Sequence, residues 1–150
     1  MGEMFLEADR TEGTVFVEIL QNCIVYNDGA FEFLYDKETK WENALYLEHG
    51  KPMRFGKNGE KGLLLTGNGF EVVEVSAVGE EKIAVHDERN ILQAWALSQL
   101  ERPVPLGVIY RNPRRCFDED LIALEEKLVR ERGEGDLRKL FYSGETWQVL

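Results

Sequence analysis

At 150 residues the chain is long enough for one domain with a buried core of its own. Its 28 acidic residues outweigh 18 basic ones, for a net charge of −10, which argues against a nucleic-acid partner because phosphates demand a basic face. The 43% hydrophobic and 11% aromatic shares describe a folded protein, and no apolar run approaches the roughly 20 residues that cross a bilayer, so no membrane association is expected.

The first ten residues predict a short helix ending near Thr11-Glu12-Gly13. This stretch is acidic and lacks the basic start and apolar middle of a signal peptide. The two cysteines, Cys23 and Cys116, make no disulfide framework, and a cytoplasmic location is expected. Thr14-Val15-Phe16-Val17-Glu18-Ile19-Leu20 is nearly all apolar and β-branched, the pattern of a strand covered on both faces. Such a strand needs neighbours on each side. The residues before it supply none, so a truncated unit is expected.

Gln21 to Asp36 reads as a turn, with Asn27-Asp28-Gly29 capping a short helix over Ala30–Leu34. From Ala44 to Ser76 the pattern becomes short strands: Leu45–Glu48, Met53–Phe55, Gly62–Thr66 and Glu71–Val75. Gly56-Lys57-Asn58-Gly59 and Thr66-Gly67-Asn68-Gly69 separate the later ones with residues that tolerate positive φ, which predicts antiparallel hairpins. A helix over Arg89–Leu100 follows, with Ile91, Leu92, Trp95, Ala96 and Leu100 at helical spacing. Pro103 and Pro105 end it, and Leu106–Tyr110 reads as another buried strand. Asp118–Arg132 predicts a second amphipathic helix, with Leu121, Leu124, Leu128 and Val129 on its apolar face, stopped by Gly133 and Gly135. A last short helix is expected over Asp136–Phe141.

Among residues that carry chemistry, Cys23 is the most informative, because it sits just past the end of the first predicted strand. Ligands collect at that edge of open α/β sheets. A thiolate there could ligate a metal or cluster, but an iron–sulfur centre takes four protein ligands. A buried structural thiol is the ordinary alternative. Cys116 stands before a helix, where a thiol pKa can fall, yet Asp118, Glu119 and Asp120 beside it oppose that shift. It reads as a poor N-cap. His49 and His86 are isolated imidazoles near carboxylates, without the paired spacing of a helical zinc site, and hydrogen-bonded structural roles fit them. The Gly56–Gly62 stretch lacks the ending of a phosphate loop and lies between strands, as a hairpin loop does. Arg111-Asn112-Pro113-Arg114-Arg115 is a basic cluster that suits either an anionic ligand or plain solvent exposure.

Several segments, taken in order, resemble the β subunit of 2-oxoacid:ferredoxin oxidoreductases, a thiamine diphosphate-binding family, and the 2-oxoglutarate type in particular. Phe16-Val17-Glu18-Ile19-Leu20-Gln21-Asn22-Cys23-Ile24-Val25-Tyr26-Asn27-Asp28-Gly29-Ala30-Phe31 carries the resemblance first. Leu47-Glu48-His49-Gly50-Lys51-Pro52-Met53, Phe55-Gly56 and Lys61-Gly62 continue it. Val85-His86-Asp87-Glu88, Val104-Pro105-Leu106-Gly107-Val108, Tyr110-Arg111-Asn112-Pro113 and Gly144-Glu145-Thr146-Trp147-Gln148-Val149 complete it, in the family's order. The resemblance runs from about Thr11 to the C-terminus. It departs at Arg115-Cys116, where the family tends to have Pro-Thr or Pro-Ser.

The resemblance implies that Cys23 is the fourth ligand of a 4Fe–4S cluster in the complete subunit. It also implies thiamine diphosphate and Mg²⁺ as cofactors, coenzyme A as acyl acceptor and ferredoxin as electron acceptor. The other three cluster cysteines and the Gly-Asp-Gly motif for Mg²⁺ and diphosphate are absent from this sequence, so the chain alone is expected to bind none of these cofactors and to be inactive.

The expected fold is α/β: the C-terminal portion of a thiamine diphosphate-binding-type sheet domain with a small antiparallel β insert and flanking helices. Residues 1–43 would hold the terminal core strand and cluster-cysteine turn, and residues 44–150 a C-terminal hairpin and α/β extension. The expected partners are an α subunit, the N-terminal part of the β subunit and, through the complete enzyme, ferredoxin. The competing reading is a free-standing structural or interaction protein derived from that subunit, with its open strand edge covered by homo-oligomerisation. A β-rich binding module without redox chemistry accounts for the hairpins and for no other motif.

Overall fold

The computed structural model describes residues 2–145, 147 and 149. The Thr146 and Gln148 positions of the last quoted motif lie outside the described residues. The chain divides into two units, Met1–Ala8 with Phe16–Asn112, and Asp9–Val15 with Pro113–Leu150.

In the first unit, helix α1 (Gly2–Asp9) forms where the sequence predicts one. Short helices α2 (Glu32–Tyr35) and α3 (Lys40–Asn43) lead into strand β1 (Ala44–Tyr46). Strands β2 (Arg54–Phe55), β3 (Lys61–Thr66) and β4 (Gly69–Glu74) make an antiparallel sheet in the order β2-β3-β4. The β3–β4 register runs from Lys61 opposite Glu74 to Thr66 opposite Gly69, so Gly67-Asn68 is a two-residue hairpin turn. Such turns suit Gly and Asn because their backbone twist matches that of the strands. Helix α4 (Val75–Val78), a 3₁₀ turn over Glu80–Lys82, helix α5 (Ile91–Ser98) and strand β5 (Val104–Leu106) complete the unit. The architecture is mixed α/β, as expected, with a parallel strand pair and a small antiparallel sheet.

The core of this unit gathers Leu45, Leu47, Met53, Phe55, Leu63 and Leu97, with Phe70, Ala84 and Leu100 packed against it. Backbone bonds tie the segment after the 3₁₀ turn into this core. Met53 N–H donates to the Ala84 carbonyl at 2.9 Å, and Ala84 N–H to that of Leu63 at 2.8 Å. Gly62 makes the close approach possible, since a Cβ there would lie 2.8 Å from Ile83 Cδ1.

Several expectations are corrected. Thr14–Leu20 forms no strand: residues 14–22 carry no regular structure, and Phe16 is 88% exposed. The physical reason is pairing, because an apolar run becomes a strand only against a ladder partner, and the described residues present none to it. β1 is not part of the hairpin sheet. It pairs in parallel with β5, with Ala44, Leu45 and Tyr46 opposite Val104, Pro105 and Leu106. Residues 107–110 do not extend β5, for Gly107 turns to φ +126° where a Cβ would sit 2.9 Å from the Leu47 carbonyl oxygen. On α5 the predicted face holds only in part: Leu100 packs on the core and Ala96 is half-buried, but Ile91, Leu92 and Trp95 are exposed and the buried positions are Gln93 and Leu97. The helix after Gly29 begins at Glu32 with Phe31 in the N-cap position and no side-chain cap.

The second unit holds helix α6 (Phe117–Arg132) and helix α7 (Leu137–Phe141), as the periodicity predicts. Asp136 caps α7, its carboxylate accepting from Arg138 N–H at 2.9 Å and Lys139 N–H at 3.2 Å. No residue of α6 or α7 is buried. Among the described residues no helix is long and apolar enough to cross a membrane.

Candidate functional site: the Cys23 turn

Cys23 lies in a turn closed at its base by polar side chains. Asn22 Nδ2 donates to Asp28 Oδ1 at 2.8 Å, and Asn22 Oδ1 accepts from Gly29 N–H at 2.8 Å. Gly29 has φ +77°, the left-handed conformation in which a glycine costs least. Across the turn, Asn27 N–H donates to the Cys23 carbonyl at 2.9 Å. The Tyr35 hydroxyl reaches back from α2 to the Leu20 carbonyl, anchoring the segment that enters the turn.

Hydrogen bonds from Tyr26, then Val25 and also Asn27, hold the Cys23 thiol pKa below its ordinary value, against the opposing effect of burial. Cys23 itself is half-buried, and Ile24, Val25 and Tyr26 around it are exposed. The arrangement stabilises a thiolate, which is the form that ligates a metal. It provides one sulfur. Among the described residues no group of three or more His, Cys, Asp or Glu is assembled to hold a metal ion.

The other singled-out residues have structural partners. Cys116 is the N-cap of α6, and its pKa is raised by burial and then by Glu119, Asp118, Glu12 and Asp120. Its N–H donates to the Glu119 carboxylate at 3.1 Å. His49 is exposed, with Nδ1 accepting from Glu88 N–H at 3.3 Å. His86 is buried, its Nδ1 3.1 Å from Gln93 Oε1 and its Nε2 2.8 Å from the Val108 carbonyl. Gln93 is fixed in turn, since Oε1 accepts from Asp87 N–H at 2.7 Å and Nε2 donates to Val85 O at 2.9 Å. This bridge tacks α5 to the segment after β5.

In the Gly56–Gly62 loop the Glu60 carboxylate accepts from Asn58 N–H at 2.8 Å. Its pKa is lowered by the loop's own N–H groups, so a carboxylate already takes the donors a phosphate would need. Arg111 is held between Glu7 at 2.6 Å and Glu88 at 3.1 Å, a structural ion pair. Arg115 faces Asp120 at 3.2 Å. The Asn22–Asp28 bracket was not singled out in the sequence; the signal for it was an Asn and an Asp-Gly flanking the cysteine.

Comparison with known proteins decides the family. No family model matches the chain, and no solved structure matches it. The chain is 33% identical over 158 aligned residues to 2-oxoglutarate oxidoreductase subunit KorB of Mycobacterium tuberculosis. That match takes in 98% of this chain.

The chain belongs to the 2-oxoacid oxidoreductase β-subunit family.

It corresponds to a C-terminal part of such a β subunit, spanning 41% of the length of the curated relative it matches. This agrees with the ordered segments from Phe16 onward that carried the resemblance. Within this segment, the Cys23 turn is where side-chain bonds of Asn22 brace a cysteine whose thiol pKa is lowered.

Proposed function

We propose that this chain is the C-terminal segment of the β subunit of a 2-oxoacid:ferredoxin oxidoreductase, acting on 2-oxoglutarate, and that it supplies Cys23 as one ligand of a 4Fe–4S cluster. The observation that carries the reading is a thiolate-stabilising turn at the cysteine of the Gln21-Asn22-Cys23 motif, in a chain aligned over nearly its whole length with the KorB relative. The residues fit the group in donor type, since N–H bonds to ligand sulfurs are among the levers that set a cluster's potential. They supply too few donors to hold it alone. In the complete enzyme thiamine diphosphate with Mg²⁺ would supply the chemistry for decarboxylating the 2-oxoacid, the cluster would supply one-electron transfer toward ferredoxin, and coenzyme A would take the acyl group.

What this chain's own residues do is narrower. Asn22, Asp28 and Gly29 hold the turn, the N–H groups of Tyr26, Val25 and Asn27 lower the pKa of the thiol and so favour the thiolate, and Tyr35 anchors the approach. The three remaining ligands, the thiamine site and the α-subunit contacts belong to polypeptide beyond this chain, and the chain by itself is inactive. On this reading residues 1–43 complete the thiamine-binding sheet domain, with the exposed run Thr14–Leu20 pairing there as a strand, and residues 44–150 form the extension.

The test is anaerobic co-production with the complementary part of the subunit, comparing the natural chain with Cys23→Ala. The natural pair should carry about four irons per complex with visible charge-transfer absorbance. A stable complex whose iron content is unaffected by Cys23→Ala would rule out the ligand role.

A further inference from the structure

The loop that carries Cys23 is stapled by one side chain. Asn22 Nδ2 donates to Asp28 Oδ1 at 2.8 Å and Asn22 Oδ1 accepts from Gly29 N–H at 2.8 Å, contacts that reach six and seven residues along the chain. The local bonds of asparagine to nearby backbone span about two to four residues, so this amide joins the two ends of a loop instead of capping its own turn. Inside the staple, Asn27 N–H donates to the Cys23 carbonyl at 2.9 Å. The Tyr35 hydroxyl fixes the approach at the Leu20 carbonyl.

The staple matters because packing does not hold the loop. Ile24, Val25 and Tyr26 are 79%, 76% and 91% exposed, so hydrogen bonds set its shape. Asn22 uses a donor and an acceptor at once, which a carboxylate, having acceptors only, cannot do. Groups that orient a metal ligand without touching the metal govern how firmly the metal is held. They also tune a cluster's potential, through hydrogen bonding and solvent exposure at its sulfurs.

We propose that Asn22 is a positioning residue for the cluster: by gripping Asp28 and the Gly29 N–H it fixes the loop that presents Cys23, and through that loop the seating and potential of the cluster. The inference rests on the reading of Cys23 as a cluster ligand and adds a role for a residue that is not itself a ligand. The chemistry of the pair supplies its own control. Asn22→Asp keeps an acceptor for Gly29 N–H, but it loses the donor and sets carboxylate against carboxylate. Adding Asp28→Asn exchanges the two groups, so a carboxamide at position 28 donates to a carboxylate at position 22 and the staple re-forms.

The test uses the chain assembled anaerobically with the complementary part of the subunit. It follows iron loss to a ferrous chelator, and the cluster's midpoint potential by redox titration. Asn22→Ala and Asn22→Asp should each speed iron loss at least about tenfold and displace the potential. Asp28→Asn alone keeps an acceptor for Asn22 and should change the rate less than about threefold. The double variant Asn22→Asp, Asp28→Asn should return to within about threefold of the natural rate. If Asn22→Ala does not assemble, Asn22→Asp and the double variant carry the comparison. Natural rate and potential in the Asn22 variants, or a double variant no better than Asn22→Asp, would overturn the proposal. So would a lower yield of complex whose cluster keeps the natural rate and potential, since Asn22 would then serve the fold alone. Cys23→Ala, run alongside, separates the two claims. Full iron there removes the ligand reading and this inference with it. Iron lost there, with natural behaviour in the Asn22 variants, removes this inference alone.

Discussion

Cys23 and Cys116 are the same functional group in opposite settings. N–H groups of Tyr26, Val25 and Asn27 lower the first pKa, while burial and then Glu119, Asp118, Glu12 and Asp120 raise the second. A lowered pKa means more thiolate at a given pH, so on raising pH from 6 to 9 Cys23 should alkylate first and Cys116 last. Iodoacetamide rates followed by peptide mass spectrometry check the order. The sequence already held the acidic flank of Cys116, because those residues are neighbours in the chain. It did not show the N–H groups around Cys23, which depend on how the turn closes through Asn22 and Asp28. His86 is a similar case. Its buried bridge to Gln93 and Val108 joins residues distant in sequence, and His86→Ala should cost about 2–4 kcal/mol in urea unfolding by emptying a buried site and removing a hydrogen bond.

At the scale of elements, what is legible depends on how local the cause is. The β3–β4 hairpin, α6 and α7 are set by neighbours a few residues apart, through turn glycines, heptad-spaced leucines and the Asp136 cap. The β1–β5 pair is not, because a parallel partner is reached only by a long crossover that leaves no local mark. Thr14–Leu20 shows the same limit from the other side: its composition specifies a covered strand, and coverage comes from elsewhere. Two substitutions test the elements. Asn90 caps α5 by accepting from Leu92 N–H at 3.0 Å and Gln93 N–H at 3.1 Å, so Asn90→Ala should lower stability by about 1 kcal/mol. Gly62→Ala drives a methyl into buried Ile83 and should cost about 1–3 kcal/mol, read as a lower urea midpoint with unchanged slope.

On the scale of the whole molecule, the exposed apolar residues Phe16, Ile24, Val25 and Tyr26 lie close in sequence to Cys23, whose thiol pKa is lowered. Apolar surface beside the proposed cluster cysteine fits the proposal that other parts of a subunit cover it, and the chain spans 41% of the relative's length. The central proposal is that Cys23 is one cluster ligand among several and that this segment supplies too few to hold a cluster by itself. It is tested most directly by iron and sulfide analysis after anaerobic reconstitution of the purified chain alone, alongside the chain bound to its complementary part. The expected result is no stoichiometric, stable cluster in the isolated chain and a full one in the complex. A cube-type cluster held tightly by a single copy of this chain would contradict it.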